Sequence, residues 1–149
     1  PGTKGADLEK IARDLVAVPA GTPVVTFNHI PFFTAVETIN GFVDTPPAPS
    51  VITVNGKAQF RHTVSNARDV MARVAPHPYP LALAGHMHVR ELLRYPGVAT
   101  RFDQGAAIVA PSGGPQMRFP SGITLYSVSK ATISEGRFIE LGIDPAPKR

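Results

Sequence analysis

The chain has 149 residues, 43% of them hydrophobic, which is enough for one globular domain with its own core and excludes an intrinsically disordered protein. Its lack of cysteine excludes disulfides, thiolate metal sites and a cysteine nucleophile. The net charge of +4 comes from scattered basic residues and not from the block typical of a nucleic-acid-binding arm, so nucleic acid is not expected as a partner. No apolar run is long enough to span a membrane, so a membrane is not expected as a partner either.

The first part of the chain predicts a helix, a strand and a hairpin. Residues 6–18 have the apolar spacing of an amphipathic helix, which the prolines and glycine of residues 19–23 end. Residues 24–27, with three β-branched side chains and a phenylalanine, are typical of a short buried strand. Residues 51–60 contain two short β-type runs on either side of Asn55-Gly56, the dipeptide that most strongly indicates a tight hairpin.

The second part predicts another helix and then a series of short strands. Residues 65–76 carry apolar residues at helical spacing, and the side chain of Asn66 is expected to cap this helix, with Asp69 three residues further on. Loops are expected at 96–105 and 111–122. Strands are expected at 81–84, 90–95, 106–110, 123–128 and 137–141. This order predicts one α/β unit with a mixed sheet and a strand-rich C-terminal region.

Three of the five histidines follow predicted strands closely. His29 comes just after the first strand, and His86 and His88 come after residues 81–84 and Gly85. We expect Gly85 to adopt a backbone angle that most residues avoid, and the two later histidines to project to the same side of an extended turn. Ligands collect beyond the carboxyl ends of parallel strands, so the three imidazoles converge if these strands are neighbours. Histidines that only hydrogen-bond to backbone are the alternative.

The other candidate residues carry weaker signals. His62 precedes the second helix and is expected to lie on the surface, with contact to a substrate as the less favoured alternative. His77 stands between prolines and is expected to be structural. The glycine-rich residues 111–115 match no phosphate-binding loop motif and are expected to form a simple turn, although their N–H groups could face a phosphate. No G-x-S-x-G motif supports a serine hydrolase.

Two segments together carry a family resemblance. The sequences "VVTFNHIPFF" and "LALAGHMHVRE" resemble the strand–His–x–Pro and strand–Gly–His–x–His segments of the calcineurin-like metallophosphoesterase family. The helix predicted between them and the later "QGAAIVAPSGGP" resemble that family as well, so the likeness covers about residues 6–143. The resemblance implies the C-terminal half of a four-layer α/β/β/α metallophosphoesterase sandwich.

The resemblance also implies a chemistry. Carried over by position, His29 and His86 would ligate one metal of a binuclear centre, and His88 the other. In the family, two such cations, which could be Mn, Fe or Zn here, bind the phosphate of a monoester or diester and activate a bridging hydroxide for attack on phosphorus. The implied activity is that of a phosphatase or phosphodiesterase with a phosphate-ester substrate.

The family's other motifs are missing from the chain. It contains none of the Asp-x-His, Gly-Asp and Gly-Asn-His segments, and it does not begin with Met. We therefore expect residues 1–149 to be a partial domain whose N-terminal metal-binding half lies on a separate chain or was lost. That half is the expected partner, and this chain alone is expected to be inactive.

Two other functions remain open. The chain could be an inactive or excised fragment that acts as a binding or assembly module and self-associates through unpaired sheet edges. It could also be a cupin-like barrel in which His86, His88 and Glu91 bind one metal. The absence of a histidine after His88 and the predicted helices disfavour the barrel.

Overall fold

The computed structural model describes residues 5–35, 51–87, 90–104, 107–108, 122–130 and 132–141. Within these residues the protein has a mixed α/β fold, as predicted. The helices are α1 (Gly5–Val16) and α2 (Ala67–Val74). The strands are β1 (Val25–Asn28), β2 (Val51–Val54), β3 (Lys57–Phe60), β4 (Leu81–Ala84), β5 (Glu91–Leu93), β6 (Arg101–Gln104), β7 (Ala107–Ile108), β8 (Gly122–Leu125), β9 (Val128–Ser129), β10 (Thr132–Ile133) and β11 (Arg137–Glu140).

Four strands form the central sheet in the order β1-β4-β6-β5. β4 runs parallel to both of its neighbours, whereas β5 runs antiparallel to β6. The last residues of the three parallel strands lie level, because Asn28 pairs with Ala84 and Ala84 with Gln104. The segments that leave β1, β4 and β6 therefore start from one end of the sheet.

The helices pack on one face of this sheet around a single core. The buried core residues are Phe32, Ala67, Val70, Val74, Tyr79, Ala82 and Phe102. Leu8, Ile11 and Leu15 of α1 pack against this cluster, which confirms the predicted amphipathic face. The hairpin is also confirmed, because Asn55 and Gly56 both have positive φ, 50° and 74°, as its tight turn requires.

The predicted cap of the second helix is wrong. Asn66 occupies the N-cap position, but its side chain makes no capping hydrogen bond. The Asn66 carbonyl oxygen instead accepts hydrogen bonds from the N–H groups of Asp69 and Val70, at 3.0 and 3.4 Å. This helix is therefore held mainly by the burial of its apolar face in the core, because its first turn has no side-chain cap.

β6 corrects a second prediction, since residues 96–105 were expected to form a loop. All four residues of β6 are buried, although three of them, Arg101, Asp103 and Gln104, are polar or charged. Such a sequence lacks the apolar or alternating pattern that indicates a strand. These side chains pair with one another and with neighbouring segments, which offsets part of the cost of their burial. One buried atom of each, Nε of Arg101, Oδ1 of Asp103 and Oε1 of Gln104, has no hydrogen-bond partner among the described residues.

On the face of the sheet opposite the helices, buried polar side chains of β6 contact the C-terminal segments. The Arg101 guanidinium donates to the carbonyl oxygen of Ser134 at 2.7 Å, and its Nη2 lies 3.7 Å from Oδ2 of Asp103. The Tyr126 hydroxyl donates to the same carboxylate oxygen at 3.1 Å. Because Tyr126 follows β8 and Ser134 follows β10, these contacts fasten the C-terminal strands to β6.

The C-terminal strands form small antiparallel units. β8 lies between β11 and β7, and β9 pairs with β10. None of the sheets among the described residues closes into a barrel, so the cupin-like alternative has no support in the fold. Within the same residues, no helix has the length and apolar character needed to cross a bilayer.

Asp103 should make stability depend on pH. Burial, which outweighs the attraction of Arg101 and the hydrogen bond from Tyr126, raises the pKa of Asp103 above its ordinary value of 3.8. Because the pKa is raised in the folded state, protonated Asp103 contributes fully to the free energy of unfolding below pH 3.8. This contribution is lost as the pH rises through the pKa of the folded state. Asp103→Asn should therefore become more stable relative to the wild type as pH increases over this range.

Urea unfolding at a series of pH values measures this difference. Asp14→Asn is the matched control, because the Asp14 side chain is 60% exposed and exposed ion pairs contribute little to stability. A wild type that gains stability relative to Asp103→Asn as pH rises would contradict the assignment.

Candidate histidine site

His29 and His86 meet at the carboxyl ends of β1 and β4. The two strands are hydrogen-bonded neighbours, and the Gly85 N–H donates to the carbonyl oxygen of His29 at 3.0 Å. Nδ1 of His86 lies 3.2 Å from Nε2 of His29, and the two rings meet edge to face with centroids 5.0 Å apart. The predicted convergence is confirmed for these two residues. His88 lies outside the described residues.

His62 also belongs to this cluster, which the sequence did not predict. Its Nδ1 lies 2.9 Å from Nε2 of His86, and the two ring centroids are 5.1 Å apart. The segment after His62 is held in place by the Val64 N–H, which donates to the carbonyl oxygen of Pro31 at 2.9 Å. His62 is half-buried and lies just before α2, and its contact with His86 is a feature that the expectation of a surface residue did not include. No local motif marks His62, because a contact between distant segments brings it there.

The backbone at His86 has an unusual conformation. Its φ is +68°, whereas Gly85, expected to carry the special backbone angle, is not among the residues with positive φ. The Met87 N–H donates to the Gly85 carbonyl oxygen at 2.7 Å, which closes a γ-turn around His86. Such turns with positive φ are rare and strained, and non-glycine residues that adopt them concentrate at functional sites. His86 itself therefore does not have the extended conformation that was expected for this turn.

The three rings form a chain instead of surrounding one point. His86 lies in the middle and turns a different nitrogen toward each neighbour. The Arg61 Nε–H donates to Nε2 of His62 at 2.9 Å and extends this chain at one end. Among the described residues, no group of three or more histidine, aspartate or glutamate side chains is arranged to hold a metal ion.

The pair formed by His29 and His86 nevertheless fits two ligands of one metal. Ligand nitrogens at about 2.0–2.1 Å from a metal lie about 2.9 Å apart in octahedral geometry and about 3.3 Å apart in tetrahedral geometry. The separation of 3.2 Å between the two facing nitrogens lies within this range. Neutral imidazoles are suitable donors for Zn, Fe and Mn, and the same 3.2 Å separation is that of a hydrogen bond between the two rings.

Glu91 has a structural role in the described residues. Its two carboxylate oxygens accept hydrogen bonds from the Thr34 hydroxyl at 2.8 Å and from the Ala35 N–H at 2.7 Å. The Gln104 side chain also donates to Glu91, and to Thr34 at 2.9 Å. Glu91 therefore ties the loop that carries His29 to the ends of β5 and β6.

A groove of about 580 Å³ is lined by residues from the segments that carry the histidines. Phe33 comes from the loop after His29, and Thr63 directly follows His62. Tyr95, Arg68 and Asp69 also belong to the lining, which therefore combines aromatic surface with one basic and one acidic side chain. The groove offers aromatic surface to an organic group.

Glu91→Ala should destabilise the protein without removing a metal ligand. Loss of the carboxylate leaves the Thr34 hydroxyl, the Ala35 N–H and the Gln104 amide without this acceptor, so the free energy of unfolding should fall by about 1–3 kcal/mol. Glu140→Ala, in an exposed position of β11, is the control. Urea unfolding and the zinc content per chain measure both effects. Unchanged stability together with lower zinc content would instead assign Glu91 to the metal.

Comparisons of the chain with protein-family models, with curated proteins and with solved structures found no match. His29 and His86 stand in the two segments, residues 24–33 and 81–91, for which the sequence predicted a resemblance to calcineurin-like metallophosphoesterases. Both segments contribute a histidine to the same end of the central sheet, and the nitrogens of these histidines face each other. The site is a cluster of three imidazoles at the carboxyl ends of the parallel strands β1 and β4.

Proposed function

We propose that this chain supplies the C-terminal histidine ligands of a metal-dependent phosphoesterase that hydrolyses phosphomonoesters or phosphodiesters. The observation that carries the proposal is the meeting of His29 and His86 at the ends of neighbouring parallel strands. The two residues are 57 positions apart in the chain, so their contact follows from the fold and not from local sequence. Each belongs to one of the two segments that resemble the calcineurin-like family.

The free edge of the central sheet supports a missing half of the domain. Among the described strands, β1 has a neighbour on one side only. Phe27 in the middle of β1 is 78% exposed, which is unusual for an aromatic side chain in a parallel strand. A further element beside β1 would bury Phe27 and complete the sheet. In this proposal residues 1–149 form the C-terminal half of the four-layer α/β/β/α sandwich.

The histidines have defined roles in this proposal. Nδ1 of His86 and Nε2 of His29 would hold one cation, and His88 would contribute to a second. Two divalent cations bound there lower the pKa of water and neutralise charge on the phosphate oxygens. The remaining ligands come from the N-terminal half. The groove lined by Phe33 and Tyr95 would receive the organic part of the ester on its aromatic surface.

His86→Ala should abolish activity in the protein that unites this chain with the Asp-x-His, Gly-Asp and Gly-Asn-His segments. Loss of a metal ligand should lower the hydrolysis rate of an aryl phosphate and of a bis-aryl phosphodiester by more than about 100-fold, because even residues that only support ligands change activity by about 10–100-fold. Mn and Zn are added separately. His77→Ala is the matched control, since His77 lies outside the cluster. Unchanged turnover in His86→Ala would end the proposal.

The exposed edge also favours a second function, that of an assembly module without activity of its own. Unpaired strand edges recruit further strands, and an exposed aromatic residue adds apolar surface to such a contact. In this case a second copy of the chain covers β1, and the cluster of three histidines has no catalytic partner.

Phe27→Lys should abolish self-association if this second function is correct. The wild-type chain should sediment as a dimer or larger species, and the variant as a monomer, because a lysine at the edge opposes strand pairing. Val128→Lys is the control, since Val128 is also exposed, at 68%, but belongs to another sheet. A wild-type chain that sediments as a monomer would exclude the assembly module.

A further inference from the structure

Arg61 determines the direction of the hydrogen bonds within the histidine cluster. A guanidinium only donates hydrogen bonds, so Nε2 of His62 must accept the bond from the Arg61 Nε–H. In neutral His62 the proton is then on Nδ1, which faces Nε2 of His86 at 2.9 Å. His86 accepts at Nε2 and carries its own proton on Nδ1, which it donates to Nε2 of His29 at 3.2 Å. The contact from Arg61 thus gives the hydrogen bonds between the three rings one direction.

In these tautomers one of the two facing nitrogens is protonated and cannot bind a metal. His29 has its unprotonated Nε2 facing the space between the rings and is ready to act as a ligand. His86 instead has a proton on Nδ1, the nitrogen that faces His29. A metal bound between these two nitrogens requires that proton to leave, because only the lone pair of an unprotonated nitrogen can bind.

We propose that Arg61 and His62 are positioning residues which set the tautomer of His86, and that metal loading reverses the direction of this hydrogen-bond chain. The part of the inference that concerns metal rests on the proposed function. In the reversed chain His86 carries its proton on Nε2 and donates it to Nδ1 of His62, whose own proton has moved to Nε2. Each ring keeps one proton, so no net proton is gained or lost.

The reversal has opposite consequences for the two positioning residues. Nε2–H of His62 would then face the Nε–H of Arg61, and two donors cannot bond, so Arg61 has to leave. Arg61 therefore opposes metal binding. His62 supports it, because it accepts the proton of the bound His86 and fixes its ring, as partners of metal-ligating histidines do. A residue that only stabilised the fold would affect binding in one direction.

Tautomers are measured first, on the metal-free chain. Long-range ¹H–¹⁵N NMR spectra in alkaline buffer, where histidine is neutral, distinguish protonated from unprotonated ring nitrogens. We expect Nδ1–H on both His62 and His86 in the wild type, and a mixture on both in Arg61→Met. Predominant Nε2–H on His86 in the wild type would overturn the inference, whatever the activity of the complete enzyme.

Zinc affinity is measured next, by competition with a chelating dye. Arg61→Met should bind zinc up to about tenfold more tightly, because binding no longer breaks a charged hydrogen bond. His62→Ala should bind about 10–100-fold more weakly. His62→Gln, whose amide oxygen can accept the His86 proton, should recover part of this loss. Arg13→Met, on the exposed side of α1, is the matched control and should leave zinc affinity unchanged.

The double variant separates this inference from a general effect of charge. If Arg61 acts through His62, Arg61→Met should change zinc affinity in the wild type but not in His62→Ala. Equal effects in both backgrounds, or weaker binding in Arg61→Met, would overturn the inference. Zinc binding with this pattern but without phosphoesterase activity in the complete protein would leave the inference intact and reject the proposed function.

Discussion

The parallel pairing of β1 with β4 is the contact on which the rest of the site depends. It sets the ends of two strands level, and the hydrogen bond from the Gly85 N–H to the His29 carbonyl oxygen continues the pairing beyond the strands. The side chains that leave this end of the sheet therefore have little freedom in position. A shift of one residue in register would turn the side chains of β4 to the opposite face and separate the two imidazoles.

The strands that precede His29 and His86 could be predicted as strands from their β-branched and apolar residues. The prediction that the first of them is buried is wrong, because no residue of β1 is buried and Phe27 is 78% exposed. β6 could not be predicted, since Arg101 and Asp103 make its sequence look like a loop, and only their partners in the folded chain explain their burial. His62 was missed for a related reason, because its place in the cluster depends on contacts between segments far apart in the sequence. Local patterns thus predicted the other strands of the site and two of the clustered histidines, whereas β6 and the position of His62 depend on long-range pairing.

The strain at His86 and the hydrogen bonds to its ring act on the same residue. A left-handed backbone conformation in a non-glycine residue costs of the order of 1–3 kcal/mol, and it persists only where the surroundings impose it. Here the γ-turn fixes the direction of the Cα–Cβ bond, and contacts at both ring nitrogens fix the ring. An imidazole held in this way loses little conformational entropy when a ligand binds, which favours binding.

The 57-residue separation between His29 and His86 also bears on how the chain reaches its native state. Contacts between distant residues require the closure of a long loop, which costs entropy before any favourable interaction compensates for it, so they slow folding. Local units such as the β2–β3 hairpin can form within microseconds. The imidazole cluster exists only once this loop has closed, so a ligand that bridges β1 and β4 would stabilise the folded chain relative to the unfolded one.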